Sequence, residues 1–214
     1  MVVRLLAWLF LAMIAFSGVA WKAPLCHIGR LRRTAATVGL ISCVGSGFVQ
    51  PARAGEFIDE KAKVKFSYAD DLGLVNSPKP VRTHDYEVLF KSENVKGFNV
   101  GITRDPVRIK SILDFATPQG LGEKVVNVEL AKEGVFSADV LSATKSSTLA
   151  SGNPDFPSYD VEYKIDSSRG KNHYLIKATV VDSKLFVLTA QAKEATFGEL
   201  EPELRQILAS LRLN

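Results

Sequence analysis

Ala62, Val64, Phe66 and Tyr68 alternate with Lys61, Lys63, Lys65 and Ser67. A period of two puts alternate side chains on opposite faces, so this stretch predicts a half-buried strand with the three lysines on its outer face. Pro78 and Pro80 break the pattern that follows. Residues 86–91 and 97–103 predict two further strands joined by a hairpin loop over 92–96. Asp105-Pro106 starts a connection, and 109–115 predicts a short helix before Pro118.

The spacing then changes. Leu121, Val125 and Val128, with Val126 or Leu130, lie at i, i+4 and i+7, which predicts a helix over 118–133 ended by Gly134. Residues 136–144 predict a strand, and the Ser-, Thr-, Gly-, Asn- and Pro-containing stretch 146–157 a loop. Tyr159, Val161, Tyr163 and Ile165 alternate with polar residues, as do Tyr174, Ile176, Ala178 and Val180 with Leu175, Lys177 and Thr179. Residues 185–192 are more continuously apolar and predict a central strand, with Asp182-Ser183 as the tight turn before it. Links this short cannot hold crossover helices, so the three strands are antiparallel. Leu200, Leu204, Ile207, Leu208 and Leu211 make a C-terminal helical stripe. Pro202 suits a first helical position, so the main helix is expected from about Pro202, after a distorted turn and a capping box of Thr196 with Glu199. Strands packed with helices on their faces give an α+β sandwich.

Charge divides the chain. The whole sequence of 214 residues carries +4 with a pI near 9.0, which invites a nucleic-acid reading. The first 54 residues, however, hold six of the 27 basic residues and no Asp or Glu. That leaves 21 basic against 23 acidic residues over 55–214, a net charge of −2. Both cysteines, Cys26 and Cys43, also lie in the first piece, which excludes a disulfide scaffold, a four-cysteine zinc site and thiol switching in the second.

The first piece reads as an address. An apolar run over 5–19 follows Arg4 and ends in Gly18-Val19-Ala20, as in a signal peptide over 1–20. Arg32-Arg33 precedes a weakly apolar run ending in Ala52-Arg53-Ala54, as in a transit peptide plus twin-arginine-like thylakoid-transfer signal over 21–54. Trp21, just after the first cut, resembles the aromatic of complex-plastid targeting sequences. The destination implied is the thylakoid lumen of a complex plastid (chloroplast). The competing reading is two membrane spans, against which both runs are short.

The domain over 55–214 carries several runs in a telling order. They include Ser77-Pro78-Lys79-Pro80-Val81, Gly97-Phe98-Asn99-Val100, Asp105-Pro106-Val107, Asp114-Phe115-Ala116-Thr117-Pro118, Lys171-Asn172-His173-Tyr174, Lys177-Ala178-Thr179-Val180 and 184–192. Their ordered sum resembles the PsbP family of photosystem II extrinsic proteins and its PsbP-like and PsbP-domain relatives. The resemblance implies an antiparallel sheet of about six strands between helices, the α-β-α sandwich shared with the Mog1-like Ran-binding proteins. It implies a non-catalytic lumenal protein, peripheral to the thylakoid membrane, that docks on photosystem II and supports oxygen evolution by helping retain calcium and chloride. It implies no intrinsic cofactor and no nucleic acid. Where the family often has a Trp after the first strand, this chain reads Asp70-Asp71-Leu72-Gly73-Leu74, so a PsbP-domain assembly or stability factor for photosystem I or II stands as the alternative. A lumenal enzyme or small-ligand carrier using the sandwich cleft is a second.

Few residues carry candidate chemistry. The resemblance marks His173 and Glu194 as a pair tying a strand start to the segment before the last helix. The expected role is a structural surface tie or a pH-sensitive contact, and metal ligation is the less favoured reading. Lys61, Lys63 and Lys65 are candidate docking residues for an acidic surface, or gatekeepers of an edge strand. No EF-hand loop, P-loop or Gly-x-Ser-x-Gly turn is present, and no catalytic or metal-ligating set is assigned.

Overall fold

The computed structural model describes residues 54–77, 83–148, 150 and 156–213. The predicted leader segments therefore lie outside the described residues, apart from Ala54, which begins the first strand. The chain forms β1 (Ala54–Asp59), β2 (Val64–Ala69), β3 (Leu74–Asn76), β4 (Tyr86–Ser92) and β5 (Asn99–Pro106). Next come α1 (Pro118–Leu130), β6 (Val135–Lys145), β7 (Ser158–Ser167), β8 (Asn172–Val181) and β9 (Lys184–Lys193). The chain ends in α2 (Glu194–Ser210) and β10 (Arg212–Leu213). The described residues also hold two 3-10 turns, Asp70–Leu72 and Ile112–Asp114, the second replacing the short helix expected over 109–115.

Seven strands make the main sheet in the order β3-β4-β5-β9-β8-β7-β6, and every pair is antiparallel. The apolar strand β9 sits at its centre, between β5 and β8. Asp182 and Ser183 both have φ near +50° (51 and 55), the pair of left-handed residues that a two-residue hairpin requires. A second sheet of three strands has the order β1-β2-β10.

The sheet divides the core in two. On one side α1 packs Leu121, Val125 and Val126 against Val161, Tyr163, Ile176 and Ala178. Gly122 lets the helix come close: a Cβ there would lie 3.0 Å from Val140 Cγ1. On the other side α2 and the small sheet pack Leu204, Ile207 and Phe66 against Val100, Leu188 and Ala190. Phe57, Phe66 and Phe90 join the two sheets, with ring centroids 5.1 to 5.8 Å apart.

Three expectations change. The expected strand over the lysine alternation begins only at Val64, because Asp59 Oδ1 accepts the Ala62 N–H at 2.8 Å and Lys63 turns left-handed at φ 59, closing a hairpin onto β1. β2 then lies between β1 and β10, so it is not an edge strand. The last helix starts at Glu194 and carries Pro202 inside it. Thr196 Oγ1 donates to Lys193 O at 3.3 Å in place of a capping box. The tertiary contacts of Phe197 and Leu204 outweigh the helix bond that proline cannot make.

Candidate functional site

β8 begins at the level of the last residues of β9, so His173 stands beside the first turn of α2. Its ring lies flat on Phe197, with centroids 3.4 Å apart and planes 3° from parallel. Nδ1 stands 3.0 Å from Glu194 Oε2, and Nε2 stands 2.9 Å from Glu162 Oε1 on β7. The other oxygen of Glu162 accepts from Arg205 Nη2 at 2.7 Å, and Arg205 Nε donates to Glu201 at 2.7 Å. The paired carboxylates hold the Arg205 guanidinium above its ordinary range against the opposing effect of burial.

The pair that the resemblance implied is thus one arm of a network that links β7, β8 and α2. His173 is buried, so it is not a surface tie. Imidazole has one N–H when neutral and two when protonated, so only the protonated ring donates to both carboxylates. The carboxylates occupy opposite ring nitrogens and do not converge on one point. Among the described residues no group of three or more His, Cys, Asp or Glu is placed to hold a metal ion.

The other histidine of the described residues lies elsewhere. His84 Nδ1 pairs with Asp105 Oδ2, whose Oδ1 accepts from the Asp85 N–H at 3.3 Å. Asp105 is level with Leu185, and Leu185 with Val180, seven positions along β8 from His173. At ~3.3 Å per residue that is roughly 23 Å, so the two histidines cannot share a ligand.

The three lysines separate as well. Lys61 and Lys63 are exposed in the β1–β2 turn, and only Lys65 is on the strand, where it pairs with Glu56 at 2.8 Å. The hairpin tip therefore offers two cations in place of a three-lysine face. Among the described residues no helix is long and apolar enough to cross a membrane.

Three further groups escaped the sequence reading. Lys177 is buried at 1% exposure, where Nζ donates to Ser146 Oγ and to Thr148 Oγ1 at 2.9 Å. Glu129 is buried under α1, and both its oxygens accept from Lys132 Nζ at 2.7 Å. Asp59, held below the usual carboxylate range by the Ala62 N–H, also accepts from Tyr86 Oη at 2.9 Å. The available signal was Lys177 within an otherwise largely apolar strand; Glu129 and Asp59 stand among other polar residues and gave none.

The chain matches the PsbP family model over residues 53–213. It is 34% identical over 163 residues to PsbP domain-containing protein 2, chloroplastic, of Arabidopsis thaliana, covering 72% of this chain and 68% of that relative. Its fold overlays the solution structure of cyanobacterial PsbP from Synechocystis sp. PCC 6803 with a TM-score of 0.63. That overlay, at 16% identity, covers 80% of this chain and 99% of the other. A family model spanning the whole described fold, with a relative this similar, makes the chain a member of the PsbP family.

Proposed function

We propose that this chain is a non-catalytic protein of the chloroplast thylakoid lumen that docks peripherally on a photosystem complex. Photosystem II is the first candidate partner, with support of oxygen evolution through retention of calcium and chloride as the role. The observation that carries the reading is the PsbP domain over 53–213 together with a chloroplastic relative. The mechanism is steric and electrostatic. A rigid sandwich presents Lys61 and Lys63 at a hairpin tip, and the His173–Glu194 pair fixes α2 to the sheet.

A second reading, an assembly or stability factor for photosystem I or II, is favoured by the likeness to a PsbP domain-containing protein and by Asp70–Leu74, where the main subgroup often carries Trp. Pull-down of native thylakoid complexes with the tagged chain, before and after a high-salt wash, tests both. Molar NaCl cuts the screening length to ~3 Å, so electrostatic docking is expected to release. Recovery with active photosystem II supports the first reading, and recovery with intermediates the second. Resistance to both salt and alkaline wash would refute peripheral docking.

A further inference from the structure

A cavity of ≈ 250 Å³ opens between the outer part of the main sheet and the C-terminal half of α2. α2 packs on β8, β9 and β2, so among the described residues no helix covers the same face of β7 and β6. Leu175 of β8 and Leu208 of α2 give the cavity its apolar lining. Its walls carry two opposite-charge pairs, Asp160 with Lys177 and Glu162 with Arg205. Ser142 and Thr144 of β6 close the outer side with hydroxyls.

The hydrogen-bond inventory decides what fits. An ammonium has three donors. Those of Lys177 are taken by Ser146 Oγ, Thr148 Oγ1 at 2.9 Å and Thr148 O at 3.2 Å. Asp160 Oδ1 is enclosed and ion-paired with that Nζ at 2.9 Å, so the acceptor open to the cavity is the other oxygen of this carboxylate, on a side chain 37% exposed. Arg205 uses its Nε–H and one Nη2–H on Glu201 and Glu162, and its other N–H groups remain available. The site thus holds an unfilled acceptor, unfilled donors and hydroxyls that serve as either, at zero net charge.

That balance excludes simple ions. A metal cation would meet Lys177 and Arg205, and a small anion would meet Asp160 and Glu162. An amino-acid zwitterion would bring two full charges out of water to pairs already neutralised. A neutral molecule with adjacent hydroxyls satisfies both kinds of unfilled group, because each hydroxyl donates once and accepts twice. The volume is below the ~300–1,000 Å³ of sites for drug-sized ligands, which suits a single ring.

We propose that this cavity binds a small neutral polyhydroxylated ligand, a sugar ring or comparable polyol. Its hydroxyls donate to Asp160 and accept from Arg205, and its C–H face rests on Leu175 and Leu208. The ligand is either free or the headgroup of a glycosylated lipid; Leu141, the extra residue of the β6 bulge before Ser142, is 45% exposed at this edge. This site goes beyond the docking reading and is independent of it.

The test is titration calorimetry and protein-observed NMR on the full chain with glucose, galactose, glycerol, myo-inositol and glycine. In parallel, co-sedimentation uses phosphatidylcholine vesicles with or without glucosyl diacylglycerol. Saturable shifts confined to β6, β7 and α2 are expected with at least one sugar or polyol. Thr144→Val, at an exposed β6 position that favours β-branched residues, and Asp160→Asn should each weaken binding by about tenfold. Binding in solution identifies a free ligand, and binding only to the glycolipid vesicles a headgroup; either supports the site. It is overturned if no sugar or polyol binds in either form, if both variants bind like the parent, or if glycine binds more tightly than every polyol.

Discussion

Replacing Lys132 by methionine strands the Glu129 carboxylate. Glu129 is 3% exposed, and its two hydrogen bonds, both at 2.7 Å, come from Lys132 Nζ. The Tyr163–Tyr174 stack lies close by, where burial first and then the Glu129 charge push both phenols up. Burial likewise raises the Glu129 carboxyl above its ordinary value of 4.5, with Lys132 opposing. It lowers Lys132 against the opposing pull of Glu129. Breaking a buried pair by removing one partner costs ~3–5 kcal/mol. Lys132 is 19% exposed, so water can partly replace it, and the low end, ~3 kcal/mol, applies.

The pH dependence has a fixed sign. A carboxyl whose pKa is raised in the fold binds its proton more tightly folded than unfolded. Its contribution to stability is full below 4.5 and is lost as pH climbs through the raised folded value. Without Lys132 to oppose burial, that folded value rises further, so the penalty of Lys132→Met is largest at neutral pH and shrinks on acidification. Urea denaturation at pH 7 and near pH 4.5 measures both numbers. The expected loss is ~3 kcal/mol at pH 7 and less than half of that near pH 4.5. Glu129→Leu combined with Lys132→Met removes both charges and should recover most of the loss. A single variant within ~1 kcal/mol of the parent at pH 7, or a loss that persists in acid, would refute the account.

Other positions give shorter tests. His173→Ala removes both carboxylate contacts and the Phe197 stack, and should cost ~2–3 kcal/mol in chemical denaturation; a loss under ~0.5 would show that the network does not hold α2. Gly122→Ala puts a Cβ 3.0 and 3.2 Å from the Val140 methyl carbons, so overpacking of ~1–3 kcal/mol should exceed the ~1 kcal/mol gained in helix propensity, and Tm should fall. Pro202→Ala, at an exposed position, restores an N–H to the helix and should raise stability by up to ~3 kcal/mol; an unchanged Tm would mean that the turn is already distorted beyond repair by that bond.

Most strands were legible because one side chain in two is apolar along them. The hairpins at 92–96 and 182–183 followed from turn chemistry, and central β9 from its unbroken apolar run. What failed depended on partners distant in sequence. β3 and β10 have three and two residues, too short for any period, and exist only because β4 and β2 offer them an edge. The lysine alternation was real at Val64 and Phe66, but it ran back into a turn that Asp59 sets. Pro202 misplaced a helix start because the local cost of proline was weighed without the burial of Phe197 one turn earlier. His173 with Glu194 was reachable through family resemblance, whereas Glu162 and Arg205 reach His173 only through pairing of β7 with β8 and packing of α2.

β8 shows why the polar part of the site was the harder half. Its alternation of Tyr174, Ile176, Ala178 and Val180 with Leu175, Lys177 and Thr179 reads as one buried and one wet face. In the fold α1 lies on the first side and α2 on the second, so Lys177 and Thr179 are as buried as Ile176. A lysine cannot stay charged there without satisfied donors, which is why Ser146 and Thr148 close over it and Asp160 stands beside it. The same arrangement stops one strand further out. α2 is too narrow to cover β6 and β7 as well, so the polar residues facing that way line an opening and do not form a second core. Among the described residues, two helices on a seven-stranded sheet thus leave one face of its outer strands uncovered, and that strip is where the open oxygen of Asp160 and the spare Arg205 donors meet.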